Sequence, residues 1–100
     1  MDTKELIGQY SEGERDFGGV DLFRADLAAV DLDGANLEKA DLNRAKLSRT
    51  NLQGADPSGA NLSKAALTEA NLTGAIVTTE QLAQASSLRC VVMPDGTKCS

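Results

Sequence analysis

A five-residue periodicity constrains this chain more than any other feature. From position 17 to position 77 every fifth residue reads Phe17, Leu22, Leu27, Leu32, Leu37, Leu42, Leu47, Leu52, Pro57, Leu62, Leu67, Leu72 and Val77, ten of the thirteen being leucine. Two places before each of these, alanine fills nine of the thirteen positions, with Arg15, Val20, Val30 and Thr50 in the others. Asp or Asn stands between the two in most quintets, and the pair after the leucine is polar or small. On an α-helix, residues five apart are rotated by about 140°, which would wind the leucines around every face. On a flat strand, an odd repeat sends successive leucines to opposite sides. A backbone that bends once per quintet removes the conflict: the small residue and the leucine always point inward, and the polar pair occupies the bend. Four right-angle bends close a square, so one coil takes twenty residues. Successive coils then stack about 4.8 Å apart through strand-type hydrogen bonds.

With twenty residues per coil, the exceptions to the pattern sort into columns. Phe17, Leu37, Pro57 and Val77 fall in one interior column, so all three non-leucines share a side. Gly34, Gly54 and Gly74 fall in one column at a bend, where glycine's tolerance of positive φ suits a type II turn. Arg24, Arg44 and Lys64 stack at another bend beside Asp21, Asp41 and Asn61. They are read first as solvated residues partly neutralised by the aspartates, and otherwise as a stripe that binds a ligand. The Asp or Asn before each leucine has a structural role available, because its short side chain bonds nearby backbone N–H groups at turns. Asp16, Asp21, Asp26 and Asp31 also make the first coil acidic. Residues 1–40 carry ten acids and four bases, net −6, whereas residues 41–100 carry five acids and six bases, net +1.

The runs VDLDGANLEKADLNRAKL and GANLSKAALTEANLTGA resemble the pentapeptide-repeat family, and the resemblance covers residues 15–79. It implies an all-β solenoid, a right-handed quadrilateral parallel β-helix of about three coils. Its interior would be filled by Phe17, Leu22, Leu27, Leu32, Leu37, Leu42, Leu47, Leu52, Leu62, Leu67, Leu72 and Val77. Lys46, Ala66 and Ile76 depart from the family's Asp/Asn position, as Phe17, Pro57 and Val77 depart from its leucine. Short chains of this kind with an MPDGT-like tail resemble those abundant in cyanobacteria.

Burying one leucine contributes about 1.5–3 kcal/mol, and ordering each residue's backbone costs about 1–2 kcal/mol. A single coil therefore does not fold alone, and the open ends of a short stack need covering. The expected division is an N-terminal capping segment with a short helix over 1–14, the β-helix over 15–79, and a C-terminal capping helix with a tail hairpin over 80–100. Leu6, Ile7 and Tyr10 make the apolar side of the first helix. Thr78 or Thr79 caps the second, which runs through Glu80, Gln81, Leu82 and Ala85. The segment Cys90–Cys99 reads as a hairpin turning at Pro94, Asp95 and Gly96. Alternatively, Val91, Val92 and Met93 form an edge that pairs with another molecule.

Composition narrows the chemistry. The chain has no histidine, which removes Ser-His-Asp and Cys-His catalysis and imidazole metal ligation. Its net charge of −5 opposes direct nucleic-acid binding. No apolar run reaches membrane-spanning length, and the N-terminus lacks the apolar core of a signal peptide, so a cytoplasmic location without membrane contact is expected. Gly54 and Gly59 have phosphate-loop spacing, but Ala60 and Asn61 follow where lysine and Ser/Thr are required. The sequons at Asn61 and Asn71 are by-products of the repeat. Cys90 and Cys99 are expected as reduced thiols, too few for a zinc site. No catalytic, cofactor or metal residues are assigned. The expected function is a non-catalytic structural or protein-interaction module with an unidentified protein partner, monomeric or dimeric through a terminal cap. The candidate surface is Asp16, Asp21, Asp26, Asp31, Arg24, Arg44 and Lys64. The resemblance also implies an alternative, since some members of the family mimic DNA to inhibit or protect DNA gyrase. Three coils make a stub of about 15 Å, little more than four base pairs, which counts against it.

Overall fold

In every full quintet the five backbone N–H groups have to find acceptors, and how they do so defines the fold. A computed structural model describes residues 1–98. In the quintet 40–44, the Ala40 N–H closes a turn onto the Leu37 carbonyl (3.0 Å), and the Asp41 N–H reaches the Val20 carbonyl of the preceding coil (2.9 Å). The N–H groups of Leu42 and Arg44 donate to the Asn61 and Ser63 carbonyls of the following coil, both at 2.9 Å. That leaves Asn43, whose N–H is bound by the side-chain Oδ1 of Asp41 at 3.0 Å. Four donors go to backbone and the fifth to the Asp/Asn side chain, so that residue type recurs because it satisfies the one amide the coil geometry leaves over.

The same pattern runs along the chain. Parallel bridges pair Asp16 with Asn36, Asp21 with Asp41, Asp26 with Lys46 and Asp31 with Asn51, and continue from each of these to the next coil. The strand character is confined to single bridges on each side, because a bend interrupts the chain once in every five residues. At the bends the residue two after the leucine lies in the left-handed region throughout: Gly19, Gly34, Gly54, Gly59 and Gly74 at φ 70–72°, and Arg24, Ala29, Lys39, Arg44, Arg49, Lys64 and Glu69 at φ 58–61°. With the three-residue hydrogen bond across each bend, this is the requirement of a type II turn. The glycine column expected to show it does so, and so do the columns without glycine.

The interior holds the leucine and alanine columns. Phe17 and the ten repeat leucines from Leu22 to Leu72 are buried, Pro57 is buried, and Val77 is half-buried. Thr50, in an alanine position, is also buried and donates its hydroxyl to the Leu27 carbonyl at 2.7 Å. The molecule measures 36 × 21 × 20 Å.

Helix α1 (Thr3–Ser11) starts at Asp2, whose side chain accepts the Glu5 N–H, and buries Leu6 completely. It lies against the first coil, which no other coil precedes among the described residues. Within the stack, the Asp41, Lys46 and Gln53 carbonyls accept from Leu22, Leu27 and Gly34 of the preceding coil. Their first-coil counterparts, the carbonyls of Asp21, Asp26 and Asp33, accept instead from the Met1 ammonium (3.0 Å), the Thr3 hydroxyl (3.0 Å) and the Tyr10 hydroxyl (2.7 Å).

At the other end the ladder stops at Pro57, which has no N–H to donate, and no bridge joins Asp56 to Ile76 among the described residues. The chain turns instead into helix α2 (Thr79–Ala83), capped by Thr78 with Gln81 in a reciprocal capping box, and buries Leu82. Gln81 also ties back to the coil, its amide donating to the Pro57 carbonyl at 2.8 Å. Beyond α2 the pairing resumes one residue out of step. Partners that were twenty apart become twenty-one apart at Ala66–Ser87 and Asn71–Val92. Leu88 and Met93 take the places leucine held, and Cys90 sits at φ 55° where the earlier bends have their left-handed residue. Val91, Val92 and Met93 thus pair with their own chain, Val92 donating to the Ala70 carbonyl at 2.9 Å, rather than presenting a free edge. The turn at Pro94–Gly96 is present, closed by Gly96 N–H onto the Met93 carbonyl and Met93 N–H onto the Thr97 carbonyl, both 2.8 Å.

The expectation of reduced thiols is corrected at Cys90, which is disulfide-bonded. A left-handed bend at the end of the stack leaves its side chain at the rim rather than in the core. Cys99 lies outside the described residues.

Candidate functional site

Because residues five apart occupy successive sides, the fold separates some candidates and aligns others. Asp16, Asp21, Asp26 and Asp31 are exposed, one on each side of the first coil, and each binds the N–H two residues on, at Gly18, Phe23, Ala28 and Asp33. They surround the molecule and do not converge. Asp16 and Asp31 each take a further bond from the coil above, from the amides of Asn36 (3.1 Å) and Asn51 (3.2 Å). The column on the third side differs: Lys46 and Ala66 follow Asp26, and neither can bind the amide that Asp or Asn binds elsewhere.

Arg24, Arg44 and Lys64 do come together. They are exposed, occupy the same bend in consecutive coils, and hold φ 58°, 59° and 60°. None forms an ion pair among the described residues; the pair present there joins Arg49 to Glu69 at 3.0 Å on the adjacent bend. Arg24 places its guanidinium 5.2 Å from the ring centre of Phe23, a half-exposed aromatic beside it. The result is a column of three cations at coil spacing with an apolar flank at one end. Such an arrangement offers aligned charge to a partner but no group poised for covalent chemistry.

One concave feature was not expected from the sequence. Between α1 and the bend after Leu27 lies a groove of about 470 Å³ lined by Ile7, Tyr10, Ser11, Ala29, Val30 and Asp31. Tyr10 is fixed on one side by its bond to the Asp33 carbonyl and on the other by Arg15, whose guanidinium carbon is 3.6 Å from the ring centre. Desolvation, with the nearby Asp31 and Asp33 carboxylates, pushes the Tyr10 hydroxyl pKa up, against the opposing pull of Arg15. The available signal was the bend at Ala28 and Ala29, apolar where most quintets place a polar pair.

Two other carboxylates are perturbed. Asp56 is held below the ordinary carboxylate range by the Ser58 hydroxyl and N–H, and Asp95 by the same pair of groups on Thr97. Both are turn aspartates, Asp56 half-buried and Asp95 exposed, whose charged form accepts two short-range bonds. No group of three or more His, Cys, Asp or Glu among the described residues is placed to hold a metal ion. No helix of the described residues is long and apolar enough to cross a membrane.

The family model for pentapeptide repeats matches residues 21–56 and 40–78, with eight copies. A crystal structure of a pentapeptide repeat protein from Nostoc Pcc 7120 is similar at TM-score 0.78 and 36% identity, covering 92% of this chain and 75% of that one. A second is HetL, a pentapeptide repeat protein involved in heterocyst differentiation regulation from the cyanobacterium Nostoc sp. Strain PCC 7120. It is 39% identical at TM-score 0.41 over 84% of this chain and 43% of its own. A pentapeptide repeat protein from the Arabidopsis thaliana thylakoid lumen is 39% identical at TM-score 0.48, over 65% and 52% of the two chains. A comparison with curated proteins finds no match.

Proposed function

We propose, from the premise that this chain belongs to the pentapeptide repeat family, that it is a non-catalytic interaction module whose partner is another protein. The family's fold is the right-handed quadrilateral β-helix, and its members are generally structural modules rather than enzymes. In this reading residues 15–79 and their continuation beyond α2 form the rigid body, while α1 and α2 close its ends. The hydrogen bonds from Thr3 and Tyr10 of α1, and from the Met1 ammonium just before it, to the first-coil carbonyls support that role for α1. The backbone and the interior are consumed by the fold. What remains for function is the side chains at the bends, held in register from coil to coil.

The observation that carries the reading is the column of Arg24, Arg44 and Lys64, three exposed cations aligned without ion-pair partners among the described residues. Like charges at coil spacing repel one another, and an acidic surface on a partner relieves that repulsion. The test is capture from an extract of the native cell by immobilised protein, with R24E, R44E and K64E combined in one variant. Glu69 already occupies the equivalent left-handed position at φ 61°, so the variant keeps the backbone. A protein retained by the native chain and lost by a variant with unchanged melting temperature supports the reading. Equal capture by both moves the interaction elsewhere, and turnover of a small substrate by the purified chain overturns the reading altogether. Cytoplasmic residence is opposed by the disulfide at Cys90, since cytosolic thiols are held reduced; a free-thiol count on protein isolated under alkylating conditions distinguishes the two.

A further inference from the structure

The groove between α1 and the first coil combines an apolar floor with an acidic wall. Ile7 is 43% exposed although it neighbours the fully buried Leu6 on the same helix. Opposite it, Ala29 and Val30 bring apolar surface to a bend, and Val30 packs on the core beneath. The groove is therefore firm on both sides, with Tyr10 clamped by Arg15 and by its bond to Asp33. Its volume of about 470 Å³ lies within the range of ligand sites.

The wall carries acidic charge, which Arg15, stacked on Tyr10, offsets in part. Asp31 uses Oδ1 on the Asp33 N–H (3.1 Å) and the Asn51 amide (3.2 Å), and its other oxygen has no partner among the described residues. The Asp33 carboxylate makes no ion pair there either, and no basic side chain lines the groove. Residues 1–40 as a whole carry a net −6, so the field around the groove favours a cation.

We propose that this groove binds a short basic-aliphatic segment of a partner protein. One aliphatic side chain seats between Ile7, Ala29 and Val30, and a neighbouring arginine or lysine is set against Asp31 and Asp33. The aliphatic group removes the exposed face of Ile7 from water, and the cation meets the free carboxylate oxygens at the rim. The inference rests on the interaction-module reading and names a partner chemistry for a second surface of it.

The chain reports occupancy by itself, because Tyr10 is its only tyrosine and it has no tryptophan. The full protein is titrated with synthetic hexapeptides carrying one leucine and one arginine separated by one to four positions, and tyrosine emission is followed. At least one hexapeptide is expected to give a saturable change, while the same peptides with glutamate for arginine give none. D31N and D33N together keep the turn acceptors and are expected to weaken binding about three- to tenfold, less at high salt. I7S, at an exposed position, is expected to abolish saturation without lowering the melting temperature. The proposal is overturned if no basic hexapeptide saturates, if the acidic set binds equally, or if both variants bind like the native chain. Sedimentation showing a dimer that I7S disperses also overturns it, by giving the groove to a second copy. Capture that is lost with the Arg24, Arg44 and Lys64 reversals but survives I7S sinks the groove alone and leaves the interaction-module reading standing.

Discussion

Left-handed backbone is costly for any residue with a Cβ, roughly 1–2 kcal/mol, yet Arg24, Ala29, Lys39, Arg44, Arg49, Lys64 and Glu69 all adopt it at the bends. The cost is met because each such residue donates its N–H to the next coil while its neighbour closes the turn, so leaving the region would forfeit both bonds. This reverses the usual outcome of a glycine exchange. Ala29→Gly, which in a helix or strand would destabilise by about 0.5–1 kcal/mol, is expected to be neutral or stabilising here. Gly34→Ala meets no atom within 4 Å of its new Cβ but takes on the strain at φ 72°, and is expected to lose about 1 kcal/mol, a fall of about 4–8 °C in Tm. Thermal melts of the two variants side by side check the pair; equal falls in both would contradict the strain account. Only the glycine column made the bend conformation legible in the sequence, since arginine and lysine carry no mark of the left-handed region and the repeat geometry imposes it. The aspartates before the leucines were legible by contrast, and Asp56 turns that role into a pH dependence. Its carboxyl is held below the ordinary range by Ser58, so the charged form is favoured in the folded chain. The stability this contributes is present above the unfolded value of about 4 and is lost as pH falls through the depressed one. Asp56→Asn is expected to melt lower than the native chain at neutral pH, with the two Tm curves converging towards pH 2.

The two helices differ in how plainly their sequences announce them. The apolar side of Leu6, Ile7 and Tyr10 announces α1, which Asp2 caps by accepting the Glu5 N–H, and of the two caps expected for α2 it is Thr78, with Gln81, that serves. The five-residue length of α2 and the extra residue in the coil that contains it were not legible. They follow from Pro57, whose missing N–H ends the ladder on that side and frees the chain to coil before it pairs again at Ser87. The one-residue slip also disguised the last two quintets, because Leu88 and Met93 fall out of the count of five that holds up to Val77. For α1 the decisive side chain is Leu6, wholly buried against the first coil and part of the core cluster. Leu6→Ala is expected to cost about 2–5 kcal/mol, a range set by how far the site collapses. Because the Met1, Thr3 and Tyr10 bonds to the first-coil carbonyls depend on the helix staying docked, the loss should appear in urea unfolding together with faster exchange at Leu22, Leu27 and Gly34. A loss below about 1 kcal/mol would mean that α1 is held by its polar contacts instead.

A stack in which each coil bonds only to its neighbours is close to one-dimensional, so its stability is a sum of neighbour terms and is greatest where both neighbours exist. The coil of residues 35–54 is hydrogen-bonded to coils on both sides: Leu42 donates forward to Asn61, while Asp41 donates back to Val20. The stretch 86–93 is bonded backward, to Ala65 and Ala70, and no coil pairs with its other side among the described residues. Native-state hydrogen exchange should therefore grade along the axis, slowest at Leu42, Leu47 and Leu52 and fastest around Val92. The first coil should fall between, because α1 replaces only three of its missing donors. The same logic ranks substitutions of similar chemistry. Leu47 is completely buried between Leu27 and Leu67 of its column, so Leu47→Ala removes contacts in two directions and is expected to cost about 3–5 kcal/mol. Val77, half-buried where the ladder has already ended, should cost about 1 kcal/mol when cut to alanine. If the two substitutions prove equal, or if exchange is uniform from Phe17 to Val92, the coils fold as one indivisible unit and the neighbour-sum picture fails. A graded result has a bearing on function. The groove beside Tyr10 and the start of the Arg24 column both lie on the first coil, at an end held by α1, and a partner binding there would raise protection most at that end.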